Sequence, residues 1–182
     1  MKTFCRLEEQ LALWDGVLQL DGFEVVHQAE DVEEKTLRFT VIPKMGAAVC
    51  PHCGGLCGEA NQTRDRDGIR DLPIGERAVV LRVRVSNFEC DTCGKFFTPE
   101  LPSIAEGTHA TERFLERAAA IVRHSDISNA ARLCGIPEKT LARWYYDYVE
   151  RQQRQPGPPL KPITSIGIDE LSQKKDTVSS WR

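Results

Sequence analysis

The sequence predicts an α+β, multidomain chain: a small α/β cap, a zinc-ribbon-like β domain and a helical helix-turn-helix domain, in that order. Three observations carry this. Two Cys-x-x-Cys-Gly units, Cys50-Pro51-His52-Cys53-Gly54 and Cys90-Asp91-Thr92-Cys93-Gly94, bracket a stretch of alternating apolar residues. Ahead of them, apolar residues recur first at helical and then at strand spacing. From about Thr108 the period is helical again.

The cap is residues 1–48. Leu7, Leu11, Trp14 and Leu18 recur at steps of four, three and four, which marks one apolar face of a short helix. Phe23 and Val25, then Leu37, Phe39 and Val41, alternate with polar neighbours on either side of Asp31-Val32-Glu33-Glu34-Lys35. That pattern predicts an antiparallel strand pair. Packing alone is a sufficient role for such a unit. The net charge of −3 is weighted toward this acidic end, which makes the cap a candidate homo-oligomer or protein-interaction surface rather than a nucleic-acid footprint. Any DNA surface has to come from sorting basic groups onto one face.

No secretory h-region follows the N-terminus, and no run approaches the roughly 20 apolar residues of a membrane span, so a cytoplasmic chain without a membrane partner is expected. In a reducing compartment, clustered cysteines read as metal ligands rather than disulfides. The seven cysteines are Cys5, Cys50, Cys53, Cys57, Cys90, Cys93 and Cys134. Two residues between thiolates let a tight turn aim both sulfurs at one ion, and two such turns supply four soft ligands. Cys50, Cys53, Cys90 and Cys93 are therefore the predicted ligands of a structural Zn²⁺ with no open position. His52 and Cys57 are rival ligands that read as bystanders, and Cys5 stands alone.

Residues 49–100 form the predicted ribbon. Val79, Leu81, Val83 and Val85 face a core in the alternating pattern, and Arg82 and Arg84 face out as candidate DNA contacts. Ile69 to Leu72 suggest a partner strand, with a turn at 73–76. So small a ribbon draws much of its folding energy from the metal. Chelation is accordingly expected to melt 50–99 while sparing the later helices.

Residues 108–152 read as a helix-turn-helix. Phe114, Leu115, Ala118, Ile121 and Val122 mark a first helix. Ser125 or Asp126 caps a second, Gly135 ends it, and Pro137 opens a third. Ala131 supplies the small residue where helices touch; Ile136, Leu141 and Trp144 supply anchors after the turn. The third helix would present Lys139, Thr140, Arg143 and Tyr146 outward, with Lys139 and Arg143 as base-edge candidates. Arg113, Arg117 and Arg123 are further phosphate candidates on a mostly solvated face. An ordinary helical hairpin has much the same pattern. A Pro-rich linker, 153–162, and a strand-like run ending at Asp169-Glu170 follow.

In this order, the knuckles, the helix-turn-helix and the segment Ile166-Gly-Ile-Asp-Glu-Leu-Ser-Gln-Lys-Lys175 resemble the transposases of the bacterial ISL3 insertion-sequence family. The matching residues are Cys50 to Gly54, Cys90 to Phe97, and Gly167 to Glu170. The resemblance implies that 163–182 is the start of a ribonuclease-H-like DDE catalytic domain, with Asp169 as its first carboxylate. It also implies transposon-end duplex DNA as the partner, a nucleoid-associated setting, and Mg²⁺ only for the full-length family enzyme. Such enzymes need two further carboxylates, so the sequence reads as a truncated transposase that binds DNA without strand transfer. The competing reading is a zinc-stabilised interaction module or transposition regulator.

Overall fold

The computed structural model describes residues 2–44 and 46–154, with side chains from Glu9 onward. The expected strand at 163–168, Asp169 and the Cys5 side chain lie outside the described residues, as does most of the expected linker. The elements are α1 (Lys2–Leu18), β1 (Phe23–Asp31), β2 (Thr36–Pro43), β3 (Ala48–Val49), β4 (Leu56–Cys57), β5 (Ala60–Ile74), β6 (Arg77–Glu89), β7 (Phe96–Phe97), α2 (Glu112–His124), α3 (Ile127–Cys134) and α4 (Glu138–Arg154). Helix α4 thus takes in Gln153 and Arg154, which the sequence pattern assigns to the linker.

The predicted β1–β2 pair is present and antiparallel, from Phe23 opposite Pro43 to Asp31 opposite Thr36. Its β2 strand then joins β6 in parallel, Thr36–Val41 against Ala78–Val83. Strand order in the main sheet is β1-β2-β6-β5, with β7 added to β6. The sheet therefore runs across the expected boundary at residue 48. Phe23, Val25, Leu37, Phe39 and Val41 share one buried cluster with Ile69, Leu81, Val83 and Val85, and Leu11 and Trp14 of α1 cover it. Trp14 meets Phe39 with ring centroids 5.1 Å apart.

Strand β5 is much longer than the apolar stretch that announced it. Its first half, Ala60-Asn-Gln-Thr-Arg-Asp-Arg-Asp67, is polar throughout after Ala60, and it pairs with β6 from Ala60 opposite Phe88 to Arg66 opposite Val83. Charged side chains suit this edge position, because they discourage pairing with another chain. A bulge between Arg66 and Ile69 resets the register so that Ile69 returns to the core.

The helices close on two small clusters. Phe114, Leu115, Ala105, Ala110 and Trp144 form one, and Ala118, Val122, Ala130, Ala131 and Leu141 form the other. Thr111 caps α2 through the Phe114 amide, and Asp126 caps α3 through the Asn129 amide. Each cap satisfies an amide that the helix itself leaves unpaired.

These helices are fastened to the sheet rather than tethered by a free loop. The Arg70 amide donates to the His109 carbonyl at 2.8 Å, and the Thr111 amide to the Arg70 carbonyl at 2.9 Å. Beside this bridge lies Asp71, whose side chain is fully buried. It accepts from Thr111 Oγ1 at 2.7 Å and from Arg113 Nε at 2.7 Å, with Arg113 Nη2 on its other oxygen. Arg113 is therefore a structural clamp on the sheet and not the phosphate contact its sequence position suggested.

Candidate zinc centre and nucleic-acid interface

The two cysteine knuckles are near copies. In the first, the Gly54 amide donates to the Cys50 carbonyl at 2.9 Å and the Cys50 amide to the Gly55 carbonyl at 2.8 Å. In the second, the Gly94 amide donates to the Cys90 carbonyl at 2.7 Å and the Cys90 amide to the Lys95 carbonyl at 3.0 Å. Gly54 and Gly94 take φ of +76° and +66°, a backbone that residues with a Cβ rarely adopt. The turn thereby folds back and aims its two sulfurs at one point.

The long β5–β6 hairpin brings the knuckles together at its open end. The Sγ atoms of Cys50, Cys53, Cys90 and Cys93 all lie within 4.8 Å of one another. Across the knuckles, the Cys50 and Cys93 sulfurs are 3.7 Å apart and the Cys53 and Cys90 sulfurs 3.5 Å apart. A tetrahedron of sulfurs at the Zn–S bond length has edges of about 3.8 Å. The observed spacings fit that tetrahedron and far exceed a disulfide bond of about 2.05 Å.

Electrostatics agree with a cation-binding role. The Cys93 amide, with help from the Cys53 thiol and the Thr92 amide, pulls the Cys90 thiol down to about 6 against the cost of burial. At Cys53 the Gly55 backbone hydrogen bond acts in the same lowering direction, but sharing with the Cys90, Cys93 and Cys50 sulfurs and loss of solvent push it up to about 12. Four thiolates cannot crowd together without a compensating ion, and a dication removes that penalty.

The knuckle repeat also explains the bystanders. Cys57 stands seven residues after Cys50, as Phe97 stands seven after Cys90. Both point into the same buried cluster with Ala48 and Phe88, and Phe88 stacks on Phe97 at 5.8 Å. Cys57 is thus the packing counterpart of a phenylalanine. Burial first, then the neighbouring Cys90, pushes its thiol up to about 11. His52 is exposed on the knuckle turn and is not part of the sulfur cluster. Gly55 carries no signal of its own in the sequence, yet a Cβ there would lie 3.0 Å from Thr92 Oγ1 and 3.4 Å from Cys53 Sγ. It permits the two knuckles to approach.

In the helical unit, α3 ends on Gly135 with φ +62°. The Gly135 amide returns to Arg132 O at 3.3 Å and the Ile136 amide to Ala131 O at 3.1 Å, the two bonds of a Schellman stop. Pro137 then accepts from the Thr140 and Leu141 amides and starts α4. Leu141 and Trp144 of α4 are buried, while Lys139, Arg143 and Tyr146 are exposed and Thr140 is half-buried. The four candidate reading residues therefore share one side of the start of α4. Cys134 is half-buried between the clusters, and desolvation raises its thiol.

The structure places Arg82 and Arg84 on the outer sheet face, as the alternation implied, but each already has a partner. Arg82 pairs with Asp67, and Arg84 Nε lies 3.3 Å from Asp65 Oδ1. A phosphate would have to compete with these carboxylates.

A four-sulfur cluster at the end of a β-hairpin, joined to a Schellman-stopped helix-turn-helix, defines a helix-turn-helix protein with a cysteine site that fits zinc. Comparison with known proteins narrows the class. The helix-turn-helix domain of transposase family ISL3 matches residues 99–149. The zinc-finger of transposase IS204/IS1001/IS1096/IS1165 matches residues 46–93. The transposase for insertion sequence element IS1001 of Bordetella parapertussis is 30% identical over 170 residues, which is 93% of this chain and 40% of that protein. No solved structure matches the chain. The chain belongs to the ISL3 transposase family and represents its N-terminal, zinc-finger and helix-turn-helix region. It spans 40% of the length of the curated relative it matches. Among the described residues, no helix is long and apolar enough to cross a membrane.

Proposed function

We propose that this chain recognises double-stranded DNA at transposon ends, with α4 as the helix that enters the major groove and the zinc knuckles as the brace for the hairpin. One observation carries the reading. Lys139, Thr140, Arg143 and Tyr146 occupy the accessible side of the start of α4, while Leu141 and Trp144 anchor its other side. In helix-turn-helix proteins those early positions of the second helix meet base edges, and arginine or lysine on guanine is the commonest specific contact.

The metal's contribution here is structural. Cys50, Cys53, Cys90 and Cys93 would hold Zn²⁺ with every position filled, so the ion organises the hairpin end and leaves no site for water activation. Strand cleavage and transfer belong to the whole transposase, where Asp169 would join two further carboxylates on Mg²⁺. A nucleoid-associated, cytoplasmic setting is part of the same proposal.

Selection of bound duplexes from a random pool tests it. The zinc-loaded chain is expected to enrich a motif that matches the inverted repeats flanking its own gene. Enrichment of no motif contradicts the reading.

A second role is favoured for α1. Leu13 and Val17 sit one helical turn apart and are 70% and 47% exposed, which suits self-association of the cap. Light scattering of wild type and Leu13→Asp measures it; a monomer in both removes the role.

A further inference from the structure

The sequence is acidic overall, yet the fold gathers cations in one place. An open cleft of about 800 Å³ lies between the outer face of the sheet and the start of α4. Its walls include Arg38 of β2, Arg70 of β5, His109, and Thr140 and Arg143 of α4, with Glu34 as the opposing acid. Arg38 and Arg70 are far apart in sequence and meet only because β2 and β5 flank β6: Arg38 is opposite Val80, and Val80 is opposite Arg70. Unlike Arg82 and Arg84, neither forms a salt bridge with a carboxylate among the described residues. Arg70 spends one guanidinium N–H on the Gly135 carbonyl, which ties the α3–α4 turn to the sheet. The remaining N–H groups are available, since the guanidinium carries five donors. Trp144, also on the cleft wall, is 3% exposed, and its indole N–H has no acceptor among the described residues. A buried donor without an acceptor marks a place where a ligand oxygen or a water completes the bonding.

We infer that this cleft is a phosphate-binding site for one strand of the duplex whose major groove α4 enters, with Arg38 and Arg70 as the phosphate-binding residues. The inference rests on the DNA-binding reading and adds a second element, the sheet, to the interface. The geometry gives the reason. A helix with its side chains is about 10–12 Å across and the major groove about 12 Å wide. An inserted helix is therefore flanked by a phosphate strand on each side. One flank of α4 is the sheet wall that carries Arg38 and Arg70. Phosphate binding of this kind fixes register and orientation, while base specificity stays with α4. It also supplies the positive potential that the mean composition denies.

Arg38 is the residue to test, because its side chain forms no hydrogen bond or ion pair among the described residues. The zinc-loaded chain is titrated onto short fluorescent duplexes, one of arbitrary sequence and one carrying the selected motif, over a range of salt. The arms are wild type, Arg38→Ala, Arg38→Lys and Arg154→Ala, the last at the far end of α4. Each phosphate that is no longer neutralised lowers the slope of log K against log salt by about 0.9. Arg38→Ala is expected to lower the slope by about that amount, equally on a selected motif and on random duplex, with Arg38→Lys and Arg154→Ala near wild type. Ethylation interference on wild-type complexes reads the same phosphates without any variant, and is expected beside the α4 footprint. If Arg38→Ala keeps the wild-type slope, or if no flanking phosphate interferes while α4 still reads its motif, the cleft is not a phosphate site and the α4 reading survives. If wild type binds no duplex, both fall together.

Discussion

Removing the Arg113 guanidinium separates the helical unit from the sheet, if its clamp on Asp71 is what joins them. In the folded chain the Asp71 carboxylate has no exposed surface, and the Arg113 side chain is 31% exposed. Arg113→Ala leaves the carboxylate with the Thr111 hydroxyl as its remaining side-chain donor. Breaking one side of a buried pair costs about 3–5 kcal/mol, and the partial exposure of Arg113 lets water enter, so the lower end, about 3 kcal/mol, is expected. Removing both charges together, as Asp71→Leu with Arg113→Met, is expected to recover most of that loss, because no buried charge is left unpaired. Tryptophan fluorescence in a urea titration measures this on each side. Trp14 reports the sheet core and Trp144 the helical core, once Trp181 and the other tryptophan are replaced by phenylalanine. Coincident transitions are expected in the parent, and an earlier Trp144 transition in Arg113→Ala. Two separate transitions in the parent, or a loss below about 1 kcal/mol, would refute the clamp.

Other perturbations probe the remaining parts. Cys93→Ser should abolish stoichiometric zinc by elemental analysis, whereas Cys57→Ser should retain it and lose only packing stability. Chelation should broaden amide NMR signals around the knuckles, residues 48–57 and 88–97, and leave the Val79–Val85 core and the helices folded, in contrast to melting of the whole ribbon as the sequence alone suggested. Zinc release should follow acidification, because protons compete with the metal for all four thiolates. A dye that captures free zinc reads the release; retention of stoichiometric zinc in strong acid would contradict thiolate ligation. Arg143→Ala should relax motif preference more than it weakens binding to random duplex, and an equal loss on every sequence reassigns Arg143 to phosphate. Gly135→Ala should destabilise by about 1 kcal/mol or more, because φ is +62° and the added Cβ would lie 3.3 Å from Arg70 Nη2; chemical denaturation measures it.

Much of this was legible from residue types. Thiols at the spacing of Cys50/Cys53 and Cys90/Cys93 have few folded uses other than one ion, and the fold brings the four together. Gly135 and Pro137 punctuate the helices where their backbone preferences demand. The parallel pairing of β2 with β6 was not legible, because alternation says which face is apolar and not which strand is the neighbour. The polar half of β5 carries no apolar period at all, since its structure comes from backbone bonds to β6. Arg113 read as a solvated helix residue because its partner, Asp71, sits 42 positions away. The cationic cleft was hidden for the same reason: Arg38, Arg70 and Arg143 become neighbours only through the sheet order and the docking of α4.

Zinc knuckles, sheet and helices are held here to act as one head that reads duplex DNA. Equilibrium binding of the zinc-loaded chain to the terminal repeat of its own element, against a scrambled duplex of equal length, tests this most directly. Tighter binding to the repeat, by about a thousandfold or more at physiological salt, is the predicted result. Equal affinity for both duplexes, unchanged by salt, would contradict it.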